Sequence, residues 1–321
     1  MEYRTLGNTG LRLSVLGFGA APLGNEYGNL AATEGEGAVH AAIDHGINFF
    51  DTSPYYGRTL SEERLGAALS GKRDKVVLCT KCGRYDKELF DFSASRVTAS
   101  IDESLRRLRT DHVDMFIAHD IEFGDREQVV NEAIPAMRKL QGTGKARFIG
   151  ISGLPLKLLA EVAERTQVDF ALSYCHYNLM IRDLDRLLTP VAAANHIGLV
   201  NASPLHMGML TPAGAPMWHP APPSVKEAAA KIVQLCESRG VDVTTLALRF
   251  CLDYPHVAST LAGMSSPTEV EQNLKAFDFR VDPKLLSDIE IILAPVKDRT
   301  WDSGRQQNEV TGQQSNKGVA R

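Results

Sequence analysis

Cysteine, tryptophan and long apolar runs are all scarce in this chain of 321 residues. The five cysteines (Cys79, Cys82, Cys175, Cys236 and Cys251) are few and odd in number, which argues against a disulfide framework. No apolar stretch approaches the roughly 18 residues of a membrane span. The first residues, MEYRTLGNTG, are polar and turn-like and do not read as a signal sequence. No long basic run is present and the formal net charge is −4, so neither nucleic acid nor an anionic membrane is the expected partner. The expected location is the cytoplasm.

Several catalytic signatures are missing as well. Gly17-x-Gly19 is no dinucleotide fingerprint, because Pro22 stands where the third glycine belongs. No tyrosine is followed four residues later by lysine. There is no P-loop and no Gly-x-Ser-x-Gly elbow. Cys79-x-x-Cys82, together with His119, Cys175 and His176, offers ligand types for zinc. Strand alternation turns Cys79 and Cys82 to opposite faces, so no metal is expected.

What is present is a repeated alternation. Short β-branched or aromatic runs are each followed by a longer segment at helical spacing. The strands read as Val15–Gly19, Ile47–Asp51, Lys75–Lys81, Val113–His119, Arg147–Ser152, Phe170–Tyr174, Gly198–Ser203 and Val257–Gly263. In DREQVVNEAIPAMRKLQ, the residues Val129, Val130, Ala133, Met137 and Leu140 share one helical face. Eight strand–helix units imply a closed (β/α)8 barrel, a TIM barrel of the α/β class. Tyr3–Leu6 and Leu11–Leu13, around Gly7-Asn8-Thr9-Gly10, read as a hairpin able to plug the barrel's bottom. A long insertion, Leu205–Tyr254, begins Pro- and Gly-rich and continues into two helical stretches. One domain is expected over residues 1–308. The Gln-rich polar segment 309–321 has little to bury and is expected to be disordered.

Strand ends carry the chemistry of such a barrel. Asp51 ends the second strand, Lys81 the third and His119 the fourth, with Tyr56 in the loop after the second. Adjacent strands lie roughly 4.8 Å apart, so these side chains can meet. A free tyrosine has a pKa of about 10, and an adjacent ammonium lowers it. Lys81 is suited to that task, Asp51 to orienting Lys81, and His119 to hydrogen-bonding a substrate oxygen. Such a set suits hydride transfer, in which the protein moves the proton and a nicotinamide carries the hydride. Taken singly, Asp51 could cap a turn, Lys81 could be a solvated charge and His119 a core histidine.

The set FDTSPYYG with Ser61-Glu62, then VLCTKCGRY, then DMFIAHD resembles the aldo-keto reductase family. In that family Asp51, Tyr56, Lys81 and His119 are the catalytic positions. Within it, TKCGRY, FDFSASRV, HDIEFG, ARFIGISGLP, LSYCHY, ASPLHMGMLT, WHPAPP, GMSSPTEVEQN and APVKDRTWDSG are similar to one branch. That branch holds plant L-galactose dehydrogenases and bacterial 1-dehydrogenases of L-fucose and D-threo-aldoses. The resemblance implies oxidation of an aldose at C1 to a lactone, with NAD as acceptor. It leaves open an NADPH-dependent aldehyde reductase, or a nucleotide-binding auxiliary subunit with little turnover.

The resemblance also implies a cofactor set. Ser152 is the carboxamide ligand, with Gly153 where the family normally carries Asn. Where the family often carries Gln, the sixth strand here ends on Tyr174, whose ring could stack on the nicotinamide or be a core aromatic. Gly19 and Ala20 join from the first strand's end. Ser203, Pro204 and Leu205 through Gly208 match the pyrophosphate loop. Gly263, Ser265 and Asn273 match the adenosine segment. Glu269 occupies the position of an arginine that grips the 2′-phosphate in NADP-preferring members, which favours NAD; Glu269 could equally be a first-turn helix residue. Tyr55, Tyr85, Trp218 and Trp301 are candidate walls for a sugar, since a sugar ring usually meets an aromatic face.

Overall fold

The computed structural model describes residues 1–308, and the tail expected over 309–321 lies outside them. Two short strands, β1 (Tyr3–Thr5) and β2 (Arg12–Ser14), pair antiparallel as the N-terminal hairpin. Eight parallel strands then close a barrel: β3 (Leu16–Gly19), β4 (Phe49–Asp51), β5 (Val77–Cys82), β6 (Val113–Ala118), β7 (Ala146–Gly153), β8 (Phe170–Tyr174), β9 (Gly198–Ala202) and β10 (Ser259–Gly263). β10 pairs with β3 and completes the circle. Each strand lies within two residues of the span read from the apolar runs. The long insertion carries two helices, Pro223–Ser238 and Val243–Leu252.

The period of two along each strand sorts side chains into two cores. Phe49, Cys79, Met115, Ile117, Phe170, Leu172, Val200 and Leu261 fill the barrel interior. Phe50, Leu78, Cys82, Phe116, Ala118, Ile149 and Ala171 face outward into the layer under the helices. Cys79 and Cys82 therefore do lie on opposite sides of the wall. Leu6, Leu11 and Leu13 of the hairpin join the interior group and plug the N-terminal end. That plug is tight: a Cβ on Gly7 would collide with the backbone at Gly198, where β9 begins.

The DREQVV segment departs from a regular helix. A wide turn over Val129–Ala133 interrupts it before the helix Ile134–Gly142, and Val130 is only half-buried. Pro135 has no N–H to offer the Asn131 carbonyl, and a wider turn accommodates that loss. Among the described residues no helix is long and apolar enough to cross a membrane.

Candidate active site

The same alternation that fills the barrel also aims the site. Asp51, Lys81 and His119 each stand two residues beyond an inward side chain (Phe49, Cys79 and Ile117), so each points inward at the C-terminal mouth. His119 lies one residue past β6, and Lys81 one residue before the end of β5.

The side chains meet there. Lys81 Nζ donates to Asp51 Oδ2 at 2.6 Å, to the Thr52 carbonyl at 2.7 Å and to the Tyr56 hydroxyl at 3.2 Å. Three acceptors satisfy all three ammonium hydrogens. The Tyr56 and His119 rings meet edge-on at 5.8 Å. Supporting bonds fix the loop that carries Tyr56. Ala20 N donates to the Asp51 carbonyl, and Ser61 Oγ donates to the Ala20 carbonyl at 2.7 Å. A Cβ on Gly57 would collide with Gly24, and its φ of +61° suits glycine.

Burial sets the charges. Lys81 is nearly fully buried, which disfavours its charge, yet the Asp51 carboxylate beside it raises its pKa and keeps it an ammonium. Burial raises Asp51, against the pull of Lys81. The Tyr56 phenol departs from the sequence expectation. Lys81 does pull its pKa down, but burial outweighs that pull and the Asp51 and Asp120 charges add to it, so the pKa is raised. Tyr56 is held as the phenol.

His119 is pushed well below its ordinary value by burial and then by the Lys81 and Arg84 charges, so it is neutral. Ser53 Oγ accepts from Tyr55 N at 3.1 Å and meets His119 Nδ1, also at 3.1 Å, while His119 Nε2 faces the Asp120 carboxylate at 3.6 Å, which favours the ring proton on Nε2. Nε2 then carries the ring proton and is a donor for a substrate oxygen.

Most of the cofactor candidates lie at or just past the C-terminal ends of the barrel strands. Ser152 is buried inside the barrel, and its Oγ accepts from Asp120 N at 3.3 Å. Tyr174 closes β8 and donates its hydroxyl to Glu122 at 3.4 Å. Gly19 pairs with Asp51 across β3–β4. After β9 the chain passes Pro204 and Leu205 with Ser203, His206, Met207 and Gly208 all at positive φ, the backbone form that builds anion-binding concavities. Gly263 ends β10 and is exposed. Ser265 donates both N and Oγ to the Glu269 carboxylate, at 2.7 and 2.8 Å, at the start of the helix Pro267–Leu274. Asn273 is half-buried on that helix. The donor set fits a nicotinamide dinucleotide: buried polar groups at the ring end, a curled loop for phosphates and an exposed carboxylate at the far end.

The aromatic candidates divide. Tyr55 stays at the mouth, 6.0 Å from the His119 ring, with the Arg84 guanidinium 3.8 Å over its face. Trp301 packs edge-on against His206 and His219, on the loop after β9. Trp218 is over half exposed and lies nearly parallel to the His219 ring. Tyr85 is turned away, a correction to its place among the walls. Its ring packs on Arg96 at 4.1 Å, on the outer helix Ala94–Leu108. Tyr85 lies in the loop after β5, past the strand's alternation, and that loop carries it to the helix side.

Three site residues escaped sequence reasoning. Arg84 Nη1 donates to Asp120 Oδ2 at 2.5 Å, and both border His119. Glu122 lies fully buried below Tyr174. The available signal was HDIEFG itself, in which two acids, Asp120 and Glu122, follow the histidine closely at one strand end.

The model of the aldo/keto reductase family matches residues 15–294. The chain belongs to that family. An L-galactose dehydrogenase from Arabidopsis thaliana is 50% identical over 96% of this chain and 99% of its own. A D-threo-aldose 1-dehydrogenase from a Pseudomonas species is 30% identical, over 82% of this chain and 89% of its own. Among solved structures, an aldo-keto reductase from Bacillus halodurans in its holo form superimposes with a TM-score of 0.77. It is 23% identical and covers 96% of this chain and 99% of its own, a likeness of fold. As a member of the aldo/keto reductase family, the chain is an oxidoreductase.

Proposed function

We propose that the protein oxidises an aldose at C1 to the aldonolactone with NAD, and that L-galactose or a stereochemically similar sugar such as L-fucose or D-arabinose is the substrate. The buried contact of Lys81 with both Asp51 and Tyr56 carries this reading. The 50% identity to a plant L-galactose dehydrogenase supports the choice of sugar. The nicotinamide supplies the hydride acceptor. Tyr56 Oη first releases its own proton to solvent, Lys81 steadies the phenolate so formed, and the phenolate then receives the anomeric hydroxyl proton and becomes the phenol again. His119 Nε2 donates to the sugar oxygen and orients it. Arg84 and Asp120, paired at the rim beside Tyr55, present donors and an acceptor suited to sugar hydroxyls.

NAD over NADP rests on Glu269. Its carboxylate is exposed at the first turn of the helix Pro267–Leu274 and carries a negative charge where a 2′-phosphate would approach. It also serves the helix end by accepting from Ser265, a role compatible with repelling a 2′-phosphate.

The test is a 340 nm absorbance assay with NAD or NADP across L-galactose, L-fucose, D-arabinose and pyridoxal. L-Galactose with NAD is expected to give the highest kcat/KM. A preference for NADP overturns the use of Glu269. Tyr56→Phe is expected to abolish turnover and keep NADH binding, and retained turnover refutes the proton path.

A further inference from the structure

Glu122 takes no part in the proton path, yet three separated parts of the chain converge on it. It lies on the short turn Ile121–Phe123, just after His119 and Asp120. Its Oε1 accepts from Leu154 N and Ser303 Oγ, each at 3.1 Å, and from the Tyr174 hydroxyl at 3.4 Å. Its Oε2 has no partner and fills the space that a side chain on Gly153 would need. Its backbone carbonyl accepts from Arg305 N at 2.9 Å and from Asn308 Nδ2 at 2.7 Å. The same Asn308 amide donates to the Gly124 carbonyl at 2.8 Å. Gly304, with φ +90°, lets the chain pass against Glu122, where a Cβ would collide.

A buried carboxyl is a costly way to fill space, and an apolar residue would pack there more cheaply. The group therefore needs a reason beyond packing. Its side chain reaches Tyr174 and the end of β7, and its backbone holds the segment Ser303–Asn308, which follows directly on Trp301. We infer that Glu122 is a positioning residue that ties the seat of the nicotinamide ring to the C-terminal strap carrying Trp301, so that neither is set without the other. The inference rests on the nicotinamide reading of Tyr174. Burial, then the Asp120 charge, push the Glu122 carboxyl up to about 8, so at neutral pH it is mainly the neutral acid.

Two readouts on the full chain test this, and neither uses sugar. One is amide hydrogen exchange across residues 303–308 in the free protein. The other is titration with NADH and with NADPH, followed by fluorescence. Glu122→Ala removes the Ser303 anchor and is expected to speed exchange of the strap and to weaken dinucleotide binding, each by about tenfold, the loss typical of one or two buried hydrogen bonds. Glu122→Gln keeps the shape of the neutral acid and is expected to stay within about twofold of the parent on both. Asn308→Ala is expected to speed strap exchange. Tyr174→Phe, which removes only one hydroxyl, is expected to move strap exchange as well as binding. Folded Glu122→Ala with native exchange and native dinucleotide affinity overturns the inference. Should Glu122→Ala not fold, unchanged strap exchange in Tyr174→Phe overturns it instead. Failure to oxidise L-galactose sinks the substrate reading and leaves these readouts intact.

Discussion

Replacing Glu122 by glutamine should change how the stability of the whole barrel depends on pH. The folded protein holds this carboxyl at about 8, against 4.5 for the unperturbed group. Between those values the unfolded chain has released the proton and the folded chain retains it. Stability therefore falls as pH rises through that window. The contribution is fully present below about pH 4.5 and is gone above about pH 8. At about 1.4 kcal/mol per pH unit, the window is worth about 5 kcal/mol. Glutamine does not titrate and offers the same acceptor to Leu154, Ser303 and Tyr174. The assay is urea unfolding of both proteins at steps from pH 5 to pH 8.5. The parent should lose stability relative to Glu122→Gln by several kcal/mol across that range. Parallel curves would refute the reasoning, since they would mean that Glu122 ionises alike in the folded and unfolded chains.

Other expectations follow from the same geometry. Lys81→Met strips the buried Asp51 of its partner and should cost about 3–5 kcal/mol by urea unfolding, with much of the loss recovered in Asp51→Asn/Lys81→Met, which leaves no lone charge. Because burial raises Tyr56, sugar oxidation should accelerate steadily with pH through the neutral and mildly alkaline range, while carbonyl reduction, which needs the phenol, stays level. His119 is held neutral, so a pH–rate profile should show no limb near 6.5 from its titration. Glu269→Arg should raise the kcat/KM for NADP at the expense of NAD, and an unchanged ratio would show that the residue serves the helix end alone.

The strands and the four side chains that meet at the barrel's mouth were legible in the chain for local reasons. A strand's side chains alternate with a period of two, so apolar runs such as INFFD and VLCTKC mark both the strand and which residues face inward. Asp51, Lys81 and His119 share the inward register of Phe49, Cys79 and Ile117, and that parity needs no knowledge of the neighbours. The hairpin plug was equally plain, because Leu6, Leu11 and Leu13 flank a glycine turn.

What the packed barrel alone decided is the electrostatics and the long-range partners. The sequence places a lysine within reach of Tyr56, and from that the phenol pKa should fall. Desolvation in the closed mouth outweighs the lysine and holds the proton on. Burial of a charge depends on everything around it, and no spacing along the chain encodes it. Tyr85 went the other way for a related reason: its loop lies past the end of β5, where alternation no longer applies, and finds Arg96 on a helix. Glu122 joins residues 31 to 186 positions away, from Gly153 and Leu154 to Asn308, and only the fold brings those together. Local alternation thus determined which residues could react, while burial and distant contacts decided the proton each one carries.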